Sequence, residues 1–193
     1  MVNLDCTWGG ALANSYICLD DADDIAANQP WASKWAELTD EEKKAALILA
    51  TSWLDALPWC GVRCSADQAL AWPRTEICCD GVYIDCQTVP NILMRTTVYL
   101  AYLFATNPHV LEDLLNGLQP GGDAPRGTFV SKQKIGSLEQ HYEQFLCCHP
   151  RVACDDCSIP LLLQKFPWID DWLGSCYLCM SKGMGRTILR VRS

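Results

Sequence analysis

The stretch that most limits what this chain can become is TVPNILMRTTVYLAYLFATN, from Thr88 to Asn107. It holds a single charged residue, Arg95, and is apolar on nearly every side when wound at 3.6 residues per turn. A helix of this kind is buried on nearly all sides, or sits between subunits. Pro90 falls in its expected first turn, where a missing N–H costs nothing, and Pro108 closes it. The longest fully apolar run inside it, Val98 to Ala105, is too short to span a bilayer. The helix is therefore expected at the centre of a packed body rather than in a membrane.

The elements around it are read from capping and periodicity. Asp20 to Asn28 predicts a short acidic helix that ends before Pro30. Thr39 and Glu42 form a capping box ahead of the helix formers in EEKKAALILATSWLDAL. Leu47, Ala50, Trp53 or Leu54, and Leu57 share one face there, and Pro58 ends the helix. Cys60 to Asp85 carries turn signals at Pro73 and Asp80-Gly81, and reads as a loop with at most a short helix around Asp67 to Ala71. Gly117 to Gly127 is too rich in glycine and proline for a regular element. Phe129 to Phe145 reads as an extended hairpin around Gly136, and Ile159 to Leu173 as a helix interrupted near Pro167. The alternation at the end of TILRVRS suits an added strand. The expected fold is mainly α, a helical core with a long central helix, a projecting β-hairpin and an extended C-terminal arm. Its expected parts are a helical body (1–116), a glycine-rich loop and hairpin (117–146), a cysteine-rich helical segment (147–181) and a basic arm (182–193).

Charge narrows the function classes. The last twelve residues hold Lys182, Arg186, Arg190 and Arg192 and no acid. The preceding 181 residues carry the other 11 basic groups against all 23 acids, a net of −12. Such a body disfavours nucleic-acid binding, because neutralised phosphates supply most of the non-specific affinity. The basic tail suggests a docking arm, in which Ile188 and Val191 pack while its cations pair with acids. Its alternative is a frayed, solubilising terminus.

No H-E-x-x-H, G-x-S-x-G, Walker or dinucleotide-binding motif is present. Adjacent acids such as Asp155-Asp156 and Asp170-Asp171 do not face each other on a regular element, so a solvated surface explains them. The eight tryptophans could stack on single-stranded bases, but buried aromatics in a core are the more frequent explanation. No catalytic residue and no cofactor are expected.

Thirteen cysteines in 193 residues are many for a chain whose N-terminus, MVNLDCTWGG, shows no secretory signal. Synthesis in a cytosol without a dedicated export route is expected. Cys154-x-x-Cys157 and Cys176-x-x-Cys179 have zinc-ribbon spacing. The intervening IPLLLQKFPWIDDWL is apolar and helical, however, and the adjacent pairs Cys78-Cys79 and Cys147-Cys148 suit separate partners better than one metal. Disulfides are the preferred reading over zinc or inert thiols, with no metal site expected. Candidates are Cys60, Cys64, Cys78, Cys79, Cys147, Cys148, Cys154, Cys157, Cys176 and Cys179, forming bridges within the chain and to neighbouring chains.

Three stretches, taken in order, resemble a known family. They are ELTDEEKKAALILATSWLDAL with WCGVRCSADQALAWPR; DGVYID with VPNILMRTTVYLAYLFA; and FVSKQKIGSLEQHYEQF. This order resembles head–tail connector (adaptor, head-completion) proteins of tailed phages, many of which carry the description DnaT-like single-stranded-DNA-binding protein. QALAWPR and VSKQKIGSLEQHY are its most specific parts, and the resemblance spans about Ser15 to Leu173. It implies a virion structural protein, made in the host cytoplasm and placed in the neck. There it would form a ring, usually of twelve copies, docked under the portal protein by C-terminal arms. A stopper or tail-terminator protein would lie below. Viral DNA would pass through the channel without sequence-specific binding. On this reading the arm is Lys182, Arg186, Ile188, Arg190, Val191 and Arg192, and an acidic channel wall keeps exiting DNA from sticking. Two readings from other classes stand beside it: a single-stranded-DNA-binding replication accessory, and a zinc-dependent binding module or enzyme.

Overall fold

In the computed structural model, the described residues are 2–79, 81–117, 132–135, 138–141, 148–149, 152–153, 160–174 and 176–179. The chain begins with α1 (Leu19–Ala27), α2 (Ala32–Ala36) and α3 (Asp40–Asp55). Two short ribbons follow, β1 (Val62–Arg63) with β2 (Arg74–Thr75), and β3 (Cys78–Cys79) with β4 (Val82–Tyr83). Then come α4 (Asn91–Thr106), α5 (Pro108–Gly117), β5 (Lys132–Ile135) and β6 (Leu138–His141). The order closes with β7 (Cys148–His149), β8 (Val152–Ala153), α6 (Leu161–Lys165) and α7 (Pro167–Leu173). Among the described residues every sheet is an antiparallel pair, so the fold is mainly α.

α4 is the hub. It packs chiefly on α3 and also touches α1, α5 and α7. Of its sixteen residues only Asn91 and Arg95 are exposed. Leu93, Val98, Leu100 and Ala101 are fully buried beside Leu47, Ala50 and Leu54 of α3. The apolar periodicity of Thr88 to Asn107 therefore marks the packing centre of the body. Its start differs by one step from expectation. Pro90 is the N-cap, not a first-turn residue, and its carbonyl accepts from the N–H groups of Leu93 and Met94. Thr96 and Thr97, buried inside α4, donate their hydroxyls to Ile92 O and Leu93 O, so no polar atom of theirs is left unsatisfied. Among the described residues no helix is long and apolar enough to cross a membrane.

α3 starts as its sequence dictates. Thr39 accepts from the Glu42 N–H, and the Glu42 carboxylate accepts from the Thr39 N–H. The helical stretch Leu161 to Leu173 is broken where Phe166 leaves helical geometry between α6 and α7, with Pro167 opening the second helix. The expected hairpin holds as β5–β6, in the register Lys132↔His141 to Ile135↔Leu138.

The stretch from Asp67 to Ala71 is not helical. Its backbone acceptors are taken from elsewhere: the Gln68 amide donates to Leu70 O and Pro73 O, and the Arg63 guanidinium donates to Gln68 O and Leu70 O. Arg74 completes the knot by donating to Trp59 O, Cys60 O, Gly61 O and Ala71 O. QALAWPR is thus a scaffold that braces the loop between β1 and β2 and ends on the first residue of β2. Gly61 lies at the closest approach: its φ is +71°, and an added Cβ would sit 2.2 Å from Thr75 O. Arg74→Met should leave several part-buried carbonyls without a donor and cost about 3 kcal/mol. Urea denaturation against the parent chain checks this, and a midpoint unchanged within error would show that the bonds contribute nothing net.

Candidate functional site: an aromatic pocket beside Arg95

Arg95, Tyr99 and Tyr102 follow one another at i, i+4 and i+7, and so share one face of α4. The turn between α1 and α2 lays Trp31 on that face. Its ring stacks on Tyr102 at 4.4 Å between centroids and 15° between planes, and lies 5.8 Å from Tyr99. α7 closes the other side with Trp168 and Trp172, one turn apart, whose rings sit 5.0 and 6.0 Å from Tyr99. Each such pair contributes about 0.5–1.5 kcal/mol beyond the area it buries, so the wall is rigid rather than adaptable.

Between these walls lies a cavity of about 290 Å³, lined by Ile25, Gln29, Pro30, Trp31, Arg95, Tyr99 and Trp172. Trp172 keeps 39% of its surface exposed at the mouth. The Arg95 guanidinium has no hydrogen-bond or ion-pair partner among the described residues, although it is the only charge on α4. The tryptophans thus have a cation beside them. Arg95 lines the cavity together with Trp31 and Trp172, and elsewhere Lys43 Nζ lies 5.7 Å from the Trp35 ring centroid. The cavity can take a flat or apolar group and offer one positive charge to an acid beside it.

Other polar clusters serve the fold. Asp23 on α1 accepts from Trp35 Nε1 at 2.6 Å and from Lys43 Nζ at 3.0 Å, which neutralises the buried Lys43. The Asp55 carboxylate accepts from the Tyr16 hydroxyl and from the Ala71 N–H. Burial first, and the Asp55 charge second, push the Tyr16 phenol well above its ordinary range, so it stays a donor.

Among the described residues eight cysteines are paired. Cys6–Cys18 and Cys64–Cys86 close local loops, while Cys60–Cys179 and Cys79–Cys176 tie the ribbon region to the segment after α7. That segment also lies alongside Pro58 to Cys60: Cys60 N–H donates to Tyr177 O, and Cys179 N–H to Pro58 O. Of the ten cysteines expected to bridge, the structure places Cys60, Cys64, Cys79, Cys176 and Cys179 in disulfides within the chain. It leaves Cys78 as a free, exposed thiol. Cys147, Cys154 and Cys157 lie outside the described residues, as does the side chain of Cys148. Cys6, Cys18 and Cys86 escaped the sequence reading. Cys6 and Cys18 flank the turn-rich TWGGALANSY, a signal that could have found them. Cys176 and Cys179 go to different partners, which removes half of the zinc-ribbon ligand set. Among the described residues, no group of three or more His, Cys, Asp or Glu is placed to hold a metal. The arm residues Lys182, Arg186, Ile188, Arg190, Val191 and Arg192 all lie outside the described residues.

Fold and site together define a disulfide-stapled, mainly helical protein with an aromatic pocket open at its surface. Residues 4–146 match the sequence model of the family described as "Putative DnaT-like ssDNA binding protein", and the chain belongs to that family. The match begins before Ser15 and stops short of α6 and α7, so the Trp168–Trp172 wall lies beyond it. No curated protein matches the chain, and no solved structure does.

Proposed function

We propose that this chain is a structural subunit of a tailed-phage neck, an adaptor ring component that docks on the portal and completes the DNA-filled head. The observation that carries the reading is the set of four disulfides within one chain. A chain with 50% apolar residues does not need staples to fold. Disulfides persist in oxidising surroundings and are rare in a reducing cytosol. They suit a particle that outlives its host cell better than a protein that works only at a replication fork. The acidic body points the same way, since a channel wall of like charge does not retain passing DNA.

The arm gives the test. Removing Lys182 to Ser193 should leave a folded protein, with unchanged circular dichroism, that no longer joins DNA-filled heads. Truncated protein that still completes heads would show that the arm does not dock.

A second reading, a single-stranded-DNA-binding replication accessory, is favoured by two features: the description of the matched family, and the aromatic pocket lined by Arg95, which has no partner among the described residues. Bases stack on such rings at about 1–3 kcal/mol each. A single pocket cation against a net charge of −8 counts against it. Quenching of tryptophan fluorescence by oligo(dT), lost in Arg95→Glu, would reverse the order of the two readings.

A further inference from the structure

We infer that the aromatic pocket receives the β3–β4 tip of a second copy of this chain, so that copies join head to tail. The inference rests on the ring reading above and names the surface that would build the ring.

The pocket sets the terms. It is apolar and aromatic apart from Gln29 and Arg95, and it holds about 290 Å³. An apolar occupant with an acid suits it best, because the guanidinium has no partner among the described residues. A nucleic-acid strand meets the first condition with its bases. It also brings a phosphate at every step to a pocket built on α1 and α7, which carry exposed acids at Asp20, Asp21, Asp24 and Asp171.

The chain itself offers a fitting group. The β3–β4 ribbon turns through Gly81, whose φ of +82° with no atom within 4 Å of a built Cβ marks an open tip. Val82 and Tyr83 stand there 67% and 79% exposed, among the largest apolar groups left uncovered in the described residues. Asp85 follows two residues later, exposed and ionised. The Thr88 hydroxyl and the Gln87 N–H hold its carboxyl below the usual range. An aromatic tip with a carboxylate beside it complements an aromatic pocket with a cation beside it.

The two do not meet within one copy, because the tip is exposed while the pocket stands open. Different patches on one surface make a heterologous contact, and such contacts generate rings when the rotation closes. Cys78 is the register partner of Tyr83, so docking would carry this free thiol into the same interface.

The experiment uses the full chain with p-benzoylphenylalanine at position 83, irradiated at high concentration. The expected products are dimers and higher multiples of the 21.5 kDa chain, with position 83 joined to a peptide containing Trp31, Arg95 to Tyr102, or Trp172. Arg95→Glu in the same chain should cut these products about tenfold, since it sets like charges together. A mixture of Arg95→Glu and Tyr83→Ala chains should form one-to-one pairs and nothing larger. One chain retains a working tip and the other a working pocket, and each chain alone should stay monomeric. Cross-links to other surfaces, or none, overturn the inference, as does a product unchanged by Arg95→Glu. Competition by oligo(dT) with cross-linking of the oligonucleotide also overturns it, assigning the pocket to single-stranded DNA. The ring reading is judged separately, by whether purified particles contain this chain in multiple copies at the neck. Rings that form with Tyr83→Ala and Arg95→Glu chains would keep that reading and sink only this surface.

Discussion

Leu100→Asp should abolish the folded state. Leu100 has no exposed surface and sits midway along α4, in the same core cluster as Leu47, Leu54 and Ile169. A carboxylate there meets no cation on its own helix, since the only charge on α4, Arg95, is exposed. An uncompensated buried charge costs about 3–5 kcal/mol, and lost packing adds to it. A domain of ordinary stability has only about 5–15 kcal/mol in total. The expected result is insoluble chain, or soluble chain without a cooperative melt by circular dichroism. Two variants on the same helix calibrate it. Leu100→Ala should lose about 2–5 kcal/mol yet remain folded. Arg95→Ala, at an exposed position, should stay within about 0.5 kcal/mol of the parent. A soluble Leu100→Asp protein melting near the parent temperature would show that α4 is not the packing centre.

The legibility of this fold followed the range of the interactions that set each part. α4 was readable because burial on all sides leaves a sequence trace in every residue of the helix. The start of α3 was readable because Thr39 and Glu42 satisfy each other three residues apart. The break between α6 and α7 announced itself through Pro167. α2, with five residues between Pro30 and Thr39, is too short to show a period, and α5 follows α4 so closely that Pro108 read as an end rather than as a new start. The pocket was hidden for another reason. Trp31, Arg95 and Trp172 lie more than sixty residues apart in sequence, and only the packing of α1, α4 and α7 assembles them. QALAWPR drew notice as a motif, yet the hydrogen bonds of Gln68 and Arg74 show it bracing a loop. Disulfide pairing was equally non-local. Spacing suggested that Cys176 and Cys179 act together, whereas the chain path sends them to Cys79 and Cys60.

Reduction should have the second large effect. Cys60–Cys179 closes a loop of 119 residues and Cys79–Cys176 one of 97. In the chain-entropy account, the first bridge restricts the unfolded chain by about 5 kcal/mol. The second adds less, because the first already holds its ends near each other. Only the 60–79 and 176–179 pieces remain to be closed, a ring of roughly twenty residues contributing about 3 kcal/mol. Both bridges also hold the segment after α7 against Trp59, and through it the α7 wall of the aromatic pocket. Two consequences are expected when a phosphine reductant is added at neutral pH. The melting temperature should fall by about 15 °C or more, given roughly 2–4 °C per kcal/mol in a chain of this length. Tryptophan emission should shift to the red below the melt, as Trp168 and Trp172 separate from Tyr99. Cys60→Ala with Cys79→Ala should reproduce both effects without reductant, whereas Cys6→Ala with Cys18→Ala, which opens a loop of only 12 residues, should lower the melt without the shift. Alkylation followed by mass mapping decides whether the pairs exist in the purified chain. If all thirteen thiols are alkylated without reductant, or the melt ignores reductant, the staples are not part of the working protein and the argument for a particle that persists outside the cell loses its support.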